Sequence, residues 1–220
     1  MTYPPAPWRL QGHAFQSIQP VDRERARALI PPELKPIPVW PGKTLGGLYL
    51  ASYGPGSTLE YHELIVVAAL VRCGYRVGAW ISHIYVDSAA SLAGGRQIWG
   101  LPKEIAQFAW EPGELGRLAV RQGERRLCTL HLNRTRGTLP LRFPLPVFSV
   151  LGPERLYFTG ALTCRVGLAE ARWEIPEESP FSALNLSRPW LTLAYRSLEL
   201  IAPAPRRLPS PAPSDSPSGG

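Results

Sequence analysis

Residues Leu64-Ile65-Val66-Val67-Ala68-Ala69-Leu70-Val71 form an apolar run with no polar interruption. A strand with one wetted face alternates apolar and polar side chains, whereas a run like this one needs cover on both faces. Cys73-Gly74 supplies a turn, and Tyr75–Val86 follows with Trp80, Ile81, Ile84 and Tyr85. The two segments read as a long central hairpin, so the rest of the chain must be arranged to bury both of its sides.

The remaining pattern is dominated by strands. Leu45–Ser52 precedes the hairpin, and Ala106–Glu111, Gly116–Gln122, Arg126–Leu132, Leu139–Phe143, Arg155–Val166, Ala169–Trp173 and Trp190–Leu200 follow it. Turn signals such as Glu111-Pro112-Gly113 and Gln122-Gly123 separate them. Two short helices are expected. One is capped by Asp22, carries Ala26, Leu29 and Ile30 on one face, and stops at Pro31-Pro32. The other is capped by Asp87, runs through Ser88, Ala89, Ala90, Leu92 and Ala93, and is loosened by Gly94-Gly95. The fold class that results is α+β, mostly β: an antiparallel, closed or near-closed β-barrel with a few short helices. Residues 1–8 read as a Pro-rich arm, 9–202 as one domain, and 203–220 as a disordered Pro/Ser-rich tail.

Composition narrows the functional classes. Hydrophobic residues make up 45% of the 220, a globular proportion, and no apolar run approaches the roughly 20 residues that span a bilayer. The start, Met1-Thr2-Tyr3-Pro4-Pro5, lacks the basic and apolar regions of a secretory signal, so a cytoplasmic protein without a membrane partner is expected. Cys73, Cys128 and Cys164 are odd in number and widely spaced, which suits buried free thiols rather than a disulfide framework or a metal site. The net charge of +7 raises the question of nucleic acid. Its densest basic stretch, Arg117–Arg136, interleaves arginine with Leu, Val and Thr as on the wetted faces of strands, and no nucleic-acid-binding motif is present. A nucleic-acid partner is therefore not expected.

Only three of the 24 Lys and Arg residues are lysines: Lys35, Lys43 and Lys103. Lys103 stands between Ile98, Trp99 and Leu101 on one side and Ile105 and Phe108 on the other. An amine kept from water in such surroundings is driven toward its neutral, nucleophilic form and can attack a carbonyl to make an iminium ion; the alternative is a side chain snorkelling to the surface. Glu63, whose same-face neighbours are Tyr61, Ile65 and Val67, can shuttle protons from an apolar site or pair with an arginine at a strand end. Arg96 can hold a substrate carboxylate or tie down the loop that carries Lys103. His83, beside Trp80 and Tyr85, can line a cavity or be a satisfied core histidine. Trp99 and Tyr61 join Arg96 and His83 as candidate substrate contacts. His62, His83 and His131 have no metal-ligand spacing, and neither a phosphate loop nor a nucleophile elbow occurs, so no metal or cofactor is expected.

The run Tyr85-Val86-Asp87, Ala89-Ala90 and Ala93-Gly94-Gly95-Arg96-Gln97-Ile98-Trp99-Gly100-Leu101-Pro102-Lys103 resembles the approach to the Schiff-base lysine in the acetoacetate decarboxylase family. Phe15–Leu34 looks like that family's first strand and helix, and Tyr61-His62-Glu63 stands about where it has a catalytic glutamate; the resemblance covers roughly residues 10–110. It implies Lys103 as the Schiff-base lysine, Glu63 as its acidic partner, a cone-like antiparallel barrel and a homo-oligomer. Acetoacetate decarboxylase is the standard illustration of a lysine activated by desolvation or a cationic neighbour. Three positions depart from the family's pattern. Glu104 replaces a second lysine, Gly12 stands in the register of an arginine with Arg9 nearby, and Leu48 or Tyr49 takes the place of a second glutamate. The expected activity is that of a Schiff-base carbon–carbon lyase, decarboxylase or aldolase/dehydratase-like, acting on a β-keto acid or related oxo acid; the alternative is a non-catalytic relative that binds an apolar or carboxylic ligand in the barrel.

Overall fold

The computed structural model describes residues 2–111 and 116–209. Pro112-Gly113 of the expected turn and the end of the expected tail lie outside them. The elements in chain order are β1 (Trp8–Asp22), α1 (Arg23–Arg27), β2 (Lys35–Pro36), β3 (Lys43–Tyr53), β4 (Tyr61–Cys73), β5 (Arg76–Val86), α2 (Ala89–Trp99), β6 (Lys103–Ile105), β7 (Gln107–Glu111), β8 (Gly116–Gln122), β9 (Arg125–Leu151), β10 (Glu154–Glu174), a 3-10 turn (Ser182–Leu184), β11 (Leu191–Ala202) and β12 (Arg206–Arg207). The fold is mostly β with few helices. Among the described residues all strands belong to one sheet, ordered β12-β10-β11-β1-β3-β4-β5-β9-β8-β7, and β9 pairs a second time with β10.

The central hairpin forms as its sequence dictates. Cys73 faces Arg76 across a turn in which Gly74 takes the left-handed φ of +57°. Successive residues of β4 feed two separate cores. Leu64, Val66 and Ala68 join Leu48, Leu50, Trp80 and Tyr85 on one side. Tyr61, Ile65 and Val67 join Tyr49, Ile81, Ile84 and Val86 on the other. The register slips where Ser82 is inserted between the pairs Val66–His83 and Val67–Ile81. This bulge reverses the parity of β5, so Ile81 and Ile84 share one face while Trp80, His83 and Tyr85 belong to the other.

Several expectations are corrected. The sheet is not wholly antiparallel: β6 and β9 both pair with β5 in parallel. The chain reaches β6 by crossing over through α2, and a crossover returns a strand parallel to its start. Asp22 does cap α1, accepting from the amides of Glu24 and Arg25, but α1 is a single turn that ends at Arg27, short of Pro31-Pro32. Ser88, not Asp87, caps α2, accepting from the amide of Ser91. Asp87 is occupied with His62, whose Nδ1 lies 2.7 Å from Oδ2. Gly94-Gly95 do not loosen α2, which runs to Trp99 and ends at Gly100 with φ +59°. The segments expected as Arg126–Leu132 and Leu139–Phe143 merge into β9, and Arg155–Val166 with Ala169–Trp173 merge into β10, because the two long strands pair through bulges that absorb the polar interruptions. The expected tail is ordered at its start: Trp99 Nε1 donates to the Pro203 carbonyl, and Arg206–Arg207 pair with Leu156 and Tyr157. The expected N-terminal arm is also fixed, by Trp8 Nε1 donating to the Pro4 carbonyl and the Tyr3 hydroxyl to Gln97.

Two glycines with the same backbone conformation test how the ring of strands receives α2. A Cβ on Gly100 would lie 2.3 Å from the Val150 carbonyl oxygen, whereas one on Gly74 would meet nothing within 4 Å. Gly74→Ala should cost only the left-handed penalty, about 1–2 kcal/mol, and Gly100→Ala clearly more, as read by urea unfolding. The thiols give a second test. All three cysteines are free; Cys128 and Cys164 are buried, and burial pushes the Cys128 thiol up to about 12. In the native protein at pH 8, half-buried Cys73 should react with iodoacetamide well before Cys128, and unfolding should equalise them, as followed by peptide mass spectrometry.

Candidate functional site

Three elements deliver the site. Pro102 keeps the chain extended after the α2 cap, so Lys103 opens β6 beside Ile84 of β5. Glu63 lies on β4 opposite Val86. The α2 helix closes over both. Ser91 and Gly95 are four apart and therefore share a helix face, and that face is turned to Lys103. A Cβ on Gly95 would lie 2.4 Å from Lys103 Cδ, so only glycine lets the lysine stem lie flush along the helix. Gly94 does the same for Trp8, whose ring would come within 2.5 Å of an added Cβ.

Lys103 and Glu63 are buried, at 3% and 4% exposure. Lys103 Nζ donates to Glu63 Oε1 at 2.6 Å and to Ser91 Oγ at 2.9 Å. Its cationic head also stands over the rings of Tyr61, at 5.0 Å, and Trp8, at 5.9 Å. The second carboxylate oxygen, Oε2, accepts from the Tyr53 hydroxyl at 3.3 Å, and Tyr53 meets the Tyr49 hydroxyl at 3.3 Å. Burial, reinforced by the Glu63 charge, pushes the phenols of Tyr49, Tyr53 and Tyr61 well above their ordinary range, so they remain protonated donors. The polar groups thus form one chain from Tyr49 through Tyr53, Glu63 and Lys103 to Ser91.

This chain sits beside a cavity of about 320 Å³ lined by Lys103, Glu63, Tyr61 and Trp99 together with aliphatic side chains of the surrounding strands. Of the residues singled out in the sequence, the structure brings those four together. Arg96 and His83 are placed elsewhere. Arg96 Nε donates to the Lys103 carbonyl at 2.7 Å, so it anchors the lysine's backbone and does not line the cavity. His83 is carried to the opposite face by the Ser82 bulge, packs against Tyr85 and Phe181, and bonds to Ser82 Oγ. Glu104 shares that far side, accepting from Gln122 Nε2 at 2.6 Å, so the carboxylate next to Lys103 in sequence points away from its amine. Ser91, Tyr53 and Trp8 were not singled out. The Ser91–Gly95 spacing is the signal that would have found Ser91, once α2 is carried through its glycines. Among the described residues no group of three or more His, Cys, Asp and Glu is gathered as a metal would require.

A buried ion pair is costly to break and cheaper to replace as a whole. Lys103→Met should destabilise the fold by about 3–5 kcal/mol, because it leaves Glu63 charged and unpaired; Lys103→Met with Glu63→Gln should recover much of that loss. A urea double-mutant cycle measures both.

Comparisons with known proteins bear on the family and the fold. The protein NEOXANTHIN-DEFICIENT 1 of Solanum lycopersicum is 37% identical over 107 residues, 49% of this chain and 36% of that protein. Its counterpart from Arabidopsis thaliana is 36% identical over 49% of this chain and 38% of its own length. The aligned stretch is thus little more than a third of these relatives. Among solved structures, acetoacetate decarboxylase from Legionella pneumophila superposes with a TM-score of 0.72 at 18% identity, covering 95% of this chain and 90% of that one. The enduracididine biosynthesis enzyme MppR, complexed with pyruvate, superposes with a TM-score of 0.66 at 17% identity, covering 94% and 91%. These identities speak for the fold alone. The Acetoacetate decarboxylase (ADC) family model matches residues 1–143, well over half the chain, and by that match the protein belongs to the acetoacetate decarboxylase family.

Proposed function

We propose that this protein is a Schiff-base lyase that acts through Lys103 on a β-keto acid or related oxo acid. The observation that carries the reading is an amine at 3% exposure, 2.6 Å from an equally buried carboxylate, at the wall of a cavity large enough for a small molecule. The MppR complex with pyruvate supports it by fold, since a relative of this architecture holds an oxo acid. The second pairing of β9, with β10, supports describing the ring of strands as a barrel around that cavity.

In this mechanism Glu63 accepts a proton from the Lys103 ammonium, and the freed lone pair attacks the carbonyl carbon. The resulting carbinolamine loses its oxygen as water, taking a proton back from Glu63, and an iminium ion remains. With a β-keto acid the bond to the carboxylate breaks, carbon dioxide leaves, and the electron pair moves into the iminium to give an enamine. Protonation of the enamine carbon and addition of water then release the ketone and restore the amine. Tyr53 holds Glu63 in place through Oε2, leaving Oε1 for the proton traffic. Ser91, on the other side of Nζ, fixes the direction of the amine.

Cyanoborohydride reduction in the presence of acetoacetate or pyruvate should add the corresponding mass to the peptide containing Lys103. Lys35 and Lys43 serve as internal controls. Lys103→Arg should abolish the adduct and any release of carbon dioxide, and Glu63→Gln should slow turnover about 10²–10⁴-fold. Labelling of Lys35 and Lys43 with Lys103 untouched would remove the catalytic reading. It would leave the second one, a non-catalytic carrier of an apolar ligand, which the mostly aliphatic cavity wall favours.

A further inference from the structure

The Schiff-base site occupies one end of the cavity, and the rest of the wall has a different character. On β4 the lining residues are Tyr61, Glu63, Ile65, Val67 and Leu70. The polar ones are confined to the end beside Lys103. At about 3.3 Å per residue, the seven steps from Glu63 to Leu70 carry the wall about 23 Å along the strand. The register places Ala79 opposite Leu70 and Val147 opposite Ala79, and Phe158 opposite Val147, so the far end is framed by half-buried apolar side chains from four strands. The one further polar side chain in the lining outside the Lys103 group is Gln16, and its Oε1 already accepts from the Tyr195 hydroxyl at 2.6 Å. The indole N–H groups of Trp8 and Trp99 are directed to backbone carbonyls outside the cavity. Among the described residues no arginine lines the cavity, although arginine is the chain's dominant cation; the single cation in the lining is Lys103 itself.

These facts constrain the molecule that fits. A carboxylate drawn into the aliphatic part would lose its hydration with no counter-charge, and with only the Gln16 amide as a side-chain donor, to replace it. Acetoacetate or pyruvate would fill only the polar end and leave the long apolar wall without a partner. We infer that the substrate of the Lys103 site is a carbonyl compound with an extended apolar chain, whose carbonyl reaches Nζ while the chain lies along Ile65, Val67 and Leu70 toward Ala79 and Phe158. An acid group on such a molecule stands on the Lys103 side of the carbonyl and not within the aliphatic stretch. The inference rests on the Schiff-base reading and adds to it the chain and its direction.

The test uses the full chain with methyl ketones from acetone to 2-undecanone and, as a control, 9-oxodecanoic acid, which has the reach of 2-decanone and a carboxylate at its tail. Condensation with Lys103 expels water, and cyanoborohydride delivers hydride to the iminium carbon, so each ketone leaves a defined mass on the lysine. The half-saturating concentration for labelling Lys103 should fall about fourfold with each methylene that is buried and then level off where the cavity ends. 9-Oxodecanoic acid should label at least a hundredfold more weakly than 2-decanone. Ala79→Phe, at the far end from Lys103, should bring the plateau to shorter chains. If Lys103 is labelled equally well by acetone and 2-decanone, or if the tail carboxylate is tolerated, the extended-chain inference is overturned while the Schiff-base reading stands. If no ketone and no oxo acid labels Lys103, the Schiff-base reading itself falls and the inference with it. The chain-length series on the unaltered protein decides between these outcomes even if Ala79→Phe fails to fold.

Discussion

The pairing of one buried ammonium with one buried carboxylate sets the terms for everything around it. Neither charge survives alone in an apolar interior, so each must be delivered to within hydrogen-bond reach of the other by elements that cannot drift. Glu63 comes from the central strand β4, which is covered on both faces, and Lys103 from a short strand clamped beside β5. Two further contacts hold the clamp. Arg96 reaches from α2 to the carbonyl of Lys103, and Ser91 from the same helix reaches its amine. One helix therefore controls both ends of Lys103, and a shift of that helix moves backbone and amine together.

The architecture was legible from the hydrophobic pattern wherever a strand stands in one register. The central hairpin needed only the unbroken run Leu64–Val71 and the turn at Gly74. Lys103 and Glu63 stood out as a scarce lysine and a carboxylate among apolar neighbours, but that pattern left surface positions open, and it was the resemblance to the family that paired them; the structure buries both. What the sequence hid arises from tertiary contacts that reverse a local preference. Gly94-Gly95 look like helix breakers, yet they lie inside α2 because Trp8 and the Lys103 stem occupy the space that side chains would take. Gly137, at φ +67°, lies within β9 rather than ending it, because the neighbouring strand bulges to match between Val166 and Leu168. His83 was misplaced because the Ser82 bulge changes which residues of β5 share a face, and an inserted residue leaves no mark in an apolar sequence.

The departures from the family's pattern become intelligible in the same way. Glu104 stands where a second lysine is expected, but β6 is extended, so successive side chains leave on opposite faces and Glu104 joins Gln122 and the far core. Gly12 stands in an arginine's register, and a Cβ there would meet the Ser52 carbonyl oxygen at 1.9 Å, so no larger residue fits without moving the strand. The losses fall on charged positions, and the cavity they leave is aliphatic except beside Lys103. The buried amine and its carboxylate partner are present while the surroundings that would suit a small, highly charged molecule are not.

The double engagement of β9 has a consequence beyond the site. A strand that bonds on one side only offers its free amides and carbonyls to any passing chain, which is how sheets grow into aggregates. Here the longest strands, β9 and β10, pair with each other and are flanked by further strands over parts of their length. The ends of the strand order fall to β7, of five residues, and β12, of two. Termini so brief give an incoming strand little to zip onto, so a sheet of twelve strands is blunted against open-ended growth without a dedicated capping element.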